Sequence, residues 1–204
     1  QEGVEVLRLI TKKETFNGVK IRTAEGKIME IRRTQAVLCS GAWSQQILQS
    51  LPIFPVKGQL LSLQAPKNAM QRIIFGPGTY LVPREDGLIV VGATNEKEAN
   101  FKEGLTPNGQ KKLLQGIQNL LPQAISWPQM ERWWGYRPCT PDKKPILGKS
   151  ALKGLWIATG HHRNGVLLAA ITAEIMTKCI SNAVLNSQEK YLLKQFNFNR
   201  FMNE

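Results

Sequence analysis

The sequence is poor in the residues that build cross-links and metal sites, since its 204 residues include three cysteines and two histidines. Cys39, Cys139 and Cys179 lie far apart and form no CxxC pair, which argues against a disulfide framework and is typical of a reducing compartment. We therefore expect a cytoplasmic protein. His161 and His162 are adjacent, so their side chains do not readily converge on one metal ion. We expect no metal site, and for both histidines we expect a structural role or a role in supporting neighbouring groups of a site, rather than catalysis.

Long apolar runs are absent as well. No run reaches the roughly 20 residues of a membrane-spanning helix, and the opening QEGVEVLRLI is not a signal peptide, so no membrane partner is expected. The sequence also shows no paired carboxylates and no Ser–His–Asp set. With so few acid–base candidates, we expect any chemistry to be carried by a cofactor while the protein orients the substrate.

Acidic residues are few, at 15 against 27 Lys and Arg, which gives a formal net charge of +12. A basic balance of this size can indicate nucleic-acid or membrane binding. The basic residues, however, come in scattered pairs, such as Lys12 with Lys13 and Lys143 with Lys144, and form no long basic helix. We interpret them as solvated surface, or as the counterpart of an acidic segment outside this chain, and expect no nucleic-acid partner.

What the chain does contain is the patterning of a mixed α/β protein. Alternating apolar residues predict strands within residues 4–32, an antiparallel meander over residues 55–94 and a further strand over residues 129–138. Apolar residues that repeat at intervals of three and four predict a helix over residues 106–121. The length suits one domain, or two small ones that share a sheet.

Both ends of the chain contain a strand, a turn of small residues and a helical pattern. The first turn is SGAWS, residues 40–44, followed by a predicted helix through Leu51; the second follows a predicted strand at residues 155–159 and leads into a predicted helix over residues 164–181. Small residues let a ligand or another backbone approach closely. For SGAWS alone, a tight packing turn is the favoured alternative. The second helix is almost wholly apolar, so we expect it to be buried.

Arg137 lies in WWGYRPCTPDKKPILG, residues 133–148. On a strand, Gly135 and Arg137 face the same side, so Gly135 clears space beside the arginine, and Pro138 ends the ladder. An arginine among bulky aromatics can be desolvated and hold a carboxylate with its planar donor fork. A surface arginine stacked on tryptophan is an equally supported alternative.

Arg163 lies in LWIATGHHRNGVLL, where Gly160 and Gly165 give the backbone freedom and Asn164 is a plausible helix N-cap. A turn that leads into a helix offers free N–H groups to an electron-rich ligand. Tyr80, in GTYLVPRE, reaches a pocket with its hydroxyl or is half-buried packing, and a strand tyrosine is more often the second.

Together these strings resemble a known family. GYRPCTPDKKPILG followed by GLWIATGHHRNGVLLA is similar to the C-terminal signature of the flavin-dependent D-amino-acid oxidase family, and within it of the glycine oxidases. AVLCSGAWS, PVKGQLLSL and TYLVPREDGLIVVGATNE match in the family's order and spacing. The resemblance implies an FAD enzyme that removes a hydride from the α-carbon of an amino acid, with dioxygen reoxidising the flavin to give hydrogen peroxide. A role in supplying an imine for thiamin thiazole synthesis follows from that likeness alone.

The resemblance also implies site residues. Arg137 matches the carboxylate-binding arginine, Tyr80 a tyrosine that lines the substrate pocket, and Arg163 a second polar residue that closes it. Asn95 matches a pocket position that varies among members. No catalytic acid or base is implied, because hydride transfer needs none. The residues that match cofactor-contacting positions are Val6 at the adenine end, Gly41, Ala42 and Trp43 in the first turn, and Gly160, His161, His162, Arg163, Asn164, Gly165, Val166 and Leu167 in the second.

One part of the family pattern is missing from the sequence: the GxGxxG turn after a first strand, with its acidic residue further on. The chain therefore resembles the C-terminal part of such an enzyme, and alone we expect it to bind FAD weakly or not at all. The expected fold is α/β (α+β): the remainder of an FAD-binding α/β domain, residues 1–54 and 145–204, is interrupted by an antiparallel-sheet substrate domain, residues 55–144. The missing N-terminal FAD-binding half is the expected partner, and homo-oligomerisation is left open.

Alternatives remain within and outside the enzyme class. Sarcosine oxidase and D-amino-acid dehydrogenase belong to the same family. The covalent flavin cysteine of the sarcosine oxidase branch would fall near Gly135 and not at Cys139, so we expect FAD to be non-covalent. Glycine or another small amino acid is the expected substrate. A non-catalytic subunit that completes a partner's site is the alternative outside the enzymes.

Overall fold

The computed structural model describes residues 2–202, whose contacts divide into two compact units. The first unit holds the chain up to Phe54 and again from Arg137 onward, and the second is Pro55–Tyr136. The chain thus leaves the first unit and returns to it. Sequence patterning placed the return at residues 144–145, after the turn that follows the predicted strand, whereas residues 137–144 group with the first unit.

Eleven strands and four α-helices make up the described chain. The strands are β1 (Glu5–Lys12), β2 (Thr15–Arg22), β3 (Ile28–Ile31), β4 (Ala36–Leu38), β5 (Phe54–Gln64), β6 (Ile74–Gly76), β7 (Thr79–Pro83), β8 (Leu88–Gly92), β9 (Gln129–Cys139), β10 (Ile146–Lys149) and β11 (Leu155–Thr159). The helices are α1 (Ser44–Ile47), α2 (Pro107–Leu120), α3 (Gly165–Ile180) and α4 (Ser187–Phe196).

The first unit contains two three-stranded sheets. In one, β1, β2 and β3 form an antiparallel meander. In the other, β11 lies between β10, to which it is antiparallel, and β4, to which it is parallel. Inward-facing residues of both sheets and of the C-terminal tail form one apolar core. Its buried members are Phe16, Leu38, Leu51, Ile53, Ile146, Leu155, Ile157 and Phe198.

The second unit is a five-stranded sheet in the order β6-β7-β8-β5-β9, with α2 packed on one face. The predicted antiparallel pairing is confirmed for β6–β7, β7–β8 and β8–β5. The meander itself covers only β6, β7 and β8, because β5 lies beside β8 and not beside β6. Alternation along the strands places one apolar set under α2. The buried members of this core are Leu61, Leu63, Leu81, Ile89, Val91, Leu113, Ile117 and Ala124.

Helix α2 begins as the sequence predicts. Thr106 is the N-cap, its hydroxyl accepts a hydrogen bond from the Gly109 N–H at 3.0 Å, and Pro107 occupies the first helical position. Gly116 brings the helix close to the sheet, because a Cβ there would lie 2.0 Å from Thr79 Oγ1. The helix therefore lies closer to β7 than a side chain at residue 116 would allow.

Four predictions for the elements were wrong or incomplete. α1 spans four residues rather than continuing to Leu51, because the chain turns inward there to bury Leu51 in the core. β10 was not predicted, since its residues acquire strand structure only by pairing with β11. α4 was not predicted as a helix, although Asn186 and Glu189 form a capping box at its start.

The fourth difference concerns α3, which was predicted to be buried. Only Ile175 and Met176 are buried, while Val166 is 96% exposed and Leu167 80% exposed. The apolar composition shows that the helix favours an apolar neighbour, but it does not show that the neighbour belongs to this chain. Within residues 2–202 no helix is long and apolar enough to cross a lipid bilayer.

Candidate functional site

The two turns of small residues lie at the same edge of one sheet. β4 and β11 are parallel neighbours, paired from Leu155 with Ala36 to Ile157 with Leu38. Their carboxyl ends therefore emerge side by side, and each leads into a short 3-10 turn, Gly41–Trp43 after β4 and His162–Asn164 after β11. Ligands of α/β sheets bind at this kind of edge, outside the carboxyl ends of the strands.

A buried set of hydroxyl groups joins the two turns. Ser44 Oγ lies 2.8 Å from Thr159 Oγ1, and both lie within hydrogen-bond distance of the Gly41 carbonyl, at 2.7 and 3.1 Å. Ser44 and Thr159 are 0% and 2% exposed. The structure thus brings the predicted cofactor segments together. Sequence reasoning missed both hydroxyls, whose only signal was a polar residue flanking each small-residue turn.

Gly160 is required by the close packing of the second turn. Its φ is +80°, and a Cβ on it would lie 3.0 Å from Thr140 Cγ2 and 3.1 Å from Ile53 Cδ1. His162, which has a side chain, also adopts a left-handed conformation, with φ of +50°. A non-glycine residue in this region is uncommon and often marks a functional turn.

The start of α3 presents backbone N–H groups without a side-chain cap. Asn164 occupies the predicted N-cap position, but its side chain makes no capping hydrogen bond. The first turn of α3 contains no acidic residue. The N–H groups at this helix end have no partner within the helix, so they are suited to an electron-rich or anionic ligand.

Positive charge collects around the same turn. The pKa of His162 lies below its ordinary value, because burial and the charges of Arg137, Arg163 and Lys143 all disfavour the imidazolium. Their influence on one imidazole places the two predicted arginines near the same turn. The loop that carries Lys143 is itself fixed, since Arg200 Nε donates to Asp142 Oδ2 at 2.8 Å. Arg163 thus lies in the turn itself, and the charges of Arg137 and Lys143 act on the turn from two other segments.

His161 supports the turn from inside. Its Nε2 lies 3.0 Å from Thr172 Oγ1 on α3, and burial lowers the pKa of its imidazole. The neutral ring ties the turn to the second turn of the helix that follows. The structural role expected for this residue fits its position. Among residues 2–202, no three His, Cys, Asp or Glu side chains gather in a group that could hold a metal ion.

The other residues predicted to contact the cofactor differ in exposure. Ala42 is buried and Trp43 is 47% exposed in the first turn. Val6, which is 39% exposed, lies on β1 in the separate sheet and pairs with Ile21. Cys139, which was considered for covalent attachment of the flavin, is buried, and its Sγ lies 3.4 Å from the Thr140 carbonyl oxygen. Non-covalent attachment of the flavin stays a prediction.

Tyr80 lies on the open face of the sheet in the second unit. Its strand neighbours are Phe75 and Gly92, in the register that places Leu81 and Val91 under α2. The phenol ring lies across Gly92, since a Cβ there would come within 2.5 Å of Tyr80 Oη. Phe75 packs at the other side, with ring centroids 5.7 Å apart. A flanking ring and a glycine therefore set the orientation of Tyr80.

Arg137 is half-buried near the end of β9. Two aromatic residues, Trp134 and Tyr136, alternate with Gly135 and Arg137 and lie on the opposite side of the strand. There the ring centroid of Trp134 lies 5.7 Å from Lys57 Nζ, and Tyr136 Oη donates to the Lys102 carbonyl at 3.0 Å. A Cβ on Gly135 would meet nothing within 4 Å. The predicted space beside Arg137 is therefore present on its side of the strand.

With this geometry in place, comparison with known proteins gives the class. Residues 1–179 match the family described as DAO, FAD dependent oxidoreductase, and the chain belongs to this family of FAD-dependent enzymes. Within the family its similarity is to ThiO and glycine oxidase. It is 39% identical over 207 residues to the bifunctional protein ThiO/ThiG of Trichormus variabilis, covering 100% of this chain and 30% of that protein.

Glycine oxidases share both sequence and fold with the chain. It is 33% identical over 168 residues to glycine oxidase of Pseudomonas aeruginosa, which covers 80% of this chain and 45% of that enzyme. The crystal structure of glycine oxidase from Bacillus cereus superposes with a TM-score of 0.78 at 26% identity, covering 92% of this chain and 52% of that one. The chain thus spans between about a third and a half of the length of these relatives.

Proposed function

We propose that this chain forms part of an FAD-dependent enzyme that oxidises glycine or another small amino acid. FAD, when bound, accepts a hydride from the α-carbon of the amino acid and passes the electrons to dioxygen, which becomes hydrogen peroxide. The observation that carries the proposal is the sheet edge where β4 and β11 end, with uncapped helix N–H groups and converging cations. Membership of the oxidoreductase family supports it.

The residues at this edge fit a flavin. The N–H groups at the start of α3 favour negative charge, which a flavin gains on reduction. Val166 and Leu167 add an exposed apolar surface, which suits a planar aromatic ring system. The proposed contacts are Val6, Gly41, Ala42, Trp43 and Gly160 to Leu167, as the resemblance implies. The remaining contacts would come from the N-terminal half that the longer relatives contain.

The part of the chain in the reaction is to orient the substrate. Hydride transfer needs no strong protein base, so the requirement is an α C–H bond held in line with its acceptor. We assign Arg137 to bind the substrate carboxylate through its paired N–H donors. Tyr80, Arg163 and Asn95 are proposed to line the pocket. An enzyme of this kind in a fusion such as ThiO/ThiG suggests that its imine product is passed on, and supply for thiamin synthesis is part of the proposal.

Replacing Arg137 by alanine in the FAD-loaded enzyme tests the proposal. Losing one side of a buried charge-assisted pair costs about 2–5 kcal/mol of binding, so we expect KM for glycine to rise by about thirtyfold or more. Arg132→Ala is the matched control, because Arg132 lies on the same strand, is exposed and bonds only to Gln129 among residues 2–202. Initial rates of peroxide formation under air provide the measurement.

Several outcomes would contradict parts of the proposal. Unchanged glycine turnover in Arg137→Ala would remove the carboxylate-binding role. Electrons that reach an added quinone without peroxide would identify a dehydrogenase instead. Flavin that stays with the protein after acid precipitation would contradict non-covalent binding. A complete protein that purifies without flavin would favour a non-catalytic subunit.

A further inference from the structure

The segment that carries Asn95 runs beside β5 as a continuation of β8, but with a shifted register. Leu61 pairs with Val91, and Lys57 pairs with Glu96. On β5 the two paired residues, Lys57 and Leu61, are four positions apart, whereas on the partner Val91 and Glu96 are five positions apart. The partner segment therefore contains one extra residue, which is a β-bulge. The extra residue places Thr94 and Glu96 on the α2 side of the sheet. Asn95 is thereby turned to the opposite face.

A buried network of polar side chains fixes this arrangement. Gln59 Nε2 donates to Glu96 Oε1 at 2.7 Å and to Thr106 Oγ1 at 2.6 Å. Gln59 Oε1 accepts from the Thr106 N–H at 3.0 Å and from Gln110 Nε2 at 3.2 Å. Glu96 also accepts from the hydroxyls of Thr94 and Thr106. The Gln59 amide and the Glu96 carboxylate are therefore satisfied, which stiffens the segments that they join. At the edge of the network, Gln110 Oε1 is buried and has no hydrogen-bond partner among residues 2–202.

The charges around Glu96 hold it ionised. Burial raises the pKa of Glu96, but the hydrogen bonds from Thr94, Thr106 and Gln59 and the charge of Lys57 lower it by more, so its pKa lies below the ordinary value. Lys57 is fully buried, and its Nζ donates to the carbonyls of Lys102 and Gly104. The network thus joins β5, the bulged segment and the loop before α2.

Asn95 itself stays outside the network. Its side chain is exposed and makes no hydrogen bond to any other residue in the range 2–202. Its backbone neighbours are both paired, since the Thr94 N–H donates to the Gln59 carbonyl at 3.1 Å and the Glu96 N–H to the Lys57 carbonyl at 2.9 Å. A polar amide without a partner, held between two fixed residues on the face that carries Tyr80, is suited to contact a ligand.

We propose that Gln59, Glu96 and Thr106 are positioning residues for Asn95, and that they set which α-carbon substituent the enzyme accepts. This inference rests on the proposed function. The network keeps the bulge in place, and the bulge keeps the Asn95 amide on the open face. Loosening the network lets the segment move, so that small and larger amino acids are distinguished less sharply.

Amide hydrogen exchange on the chain tests the positioning role without catalysis. In Glu96→Gln, which keeps the side-chain size and removes a carboxylate acceptor, we expect the Thr94 and Glu96 amides to exchange about tenfold faster, the effect of losing one or two hydrogen bonds. Amides in the β7–β8 ladder keep their rates. Glu98→Gln is the matched control, since Glu98 is exposed in the same loop. Unchanged exchange in Glu96→Gln overturns the inference.

The second measurement uses the FAD-loaded enzyme. We expect Glu96→Gln to change the ratio of kcat/KM for glycine to that for D-alanine in the same direction as Asn95→Ala, and the double variant to match Asn95→Ala alone. A rate loss that is equal for both substrates, or additive effects, overturns the inference. If the parent oxidises neither amino acid, the proposed function fails and the selective role fails with it. Unchanged exchange in an active enzyme overturns the inference and leaves the proposed function standing.

A second variant keeps the test decisive if Glu96→Gln does not fold. Gly109→Ala would place a Cβ 2.0 Å from Gln59 Nε2 and 2.9 Å from Glu96 Oε1, although alanine itself favours the helix. It displaces the network without removing any polar group. We expect the same faster exchange and the same change in the substrate ratio, and their absence contradicts the inference.

Discussion

His162 shows how one residue can combine an unusual backbone conformation with an unusual charge environment. It has a positive φ, and its imidazole is held neutral by burial and by Arg137, Arg163 and Lys143. The sequence revealed the turn and both arginines, because the glycines and the cation are visible in the string. It did not reveal Ser44, Thr159 or the partners of Glu96, since hydrogen bonds between residues distant in sequence leave no local pattern.

The depressed pKa of His162 predicts a stability that falls in acid. A histidine whose folded-state pKa is lowered binds its proton more readily when the chain unfolds, so stability is present above the ordinary pKa of about 6.5 and is lost as the pH falls below it. We expect His162→Asn, which tolerates positive φ, to flatten this dependence between about pH 8 and about pH 5.5. Thermal midpoints of parent and variant across that range provide the measurement. His161 is common to both proteins, so equal slopes would show that His162 contributes nothing.

At the scale of elements, those that depend on neighbouring residues could be predicted from the sequence, and those that depend on distant contacts could not. The meander, α2 and the strand before the second turn follow from alternation, capping and helical periodicity, which are properties of neighbouring residues. β10 depends on β11 for its strand structure, and α1 ends early because Leu51 is drawn into the core. The capping box of α4 was readable in the sequence as Asn186 and Glu189, and it was overlooked.

The contact of α2 with β7 gives a prediction for Gly116. Alanine is about 1 kcal/mol better than glycine within a helix, yet its Cβ here would lie 2.0 Å from Thr79 Oγ1 and 2.5 Å from Thr79 Cβ. We expect Gly116→Ala to lower the free energy of unfolding by about 1–3 kcal/mol, the usual cost of overpacking. Gln118→Ala, on the exposed side of α2, is the control and is expected to be neutral. Urea denaturation decides, and a more stable Gly116→Ala protein would show that the helix can move away from the sheet.

At the scale of the whole molecule, the apolar patterning predicted a mixed α/β chain but not the surface that the chain presents. Val166 and Leu167 at the start of α3 are both largely exposed. The chain as a whole also has a surplus of basic residues. Exposed apolar patches usually mark interaction surfaces. The chain leaves its first unit after Phe54 and returns to it at Arg137, and an interrupted FAD-binding domain stays a prediction.

Because Val166 and Leu167 are exposed at the start of α3, we expect copies of this chain to associate with each other through this surface. We expect Val166→Ser with Leu167→Ser to weaken self-association by on the order of tenfold or more, since each apolar side chain gains about 1.5–3 kcal/mol on burial. Val184→Ser is the matched control, because Val184 is 91% exposed but lies beyond the other end of the helix. Sedimentation velocity over a range of concentrations provides the measurement. Association that survives the double change and is lost in the control would place the contact elsewhere.

The bulge before Asn95 has a consequence for how related enzymes diverge. Deleting the extra residue would remove the bulge and leave both faces of the segment as they are, because four residues would then separate the two pairs on either strand. Asn95 would stay on the open face, and Glu96 would stay on the α2 side. The sheet can therefore absorb a one-residue change in length at this point, so relatives can gain or lose the residue and keep the same side chain toward the ligand.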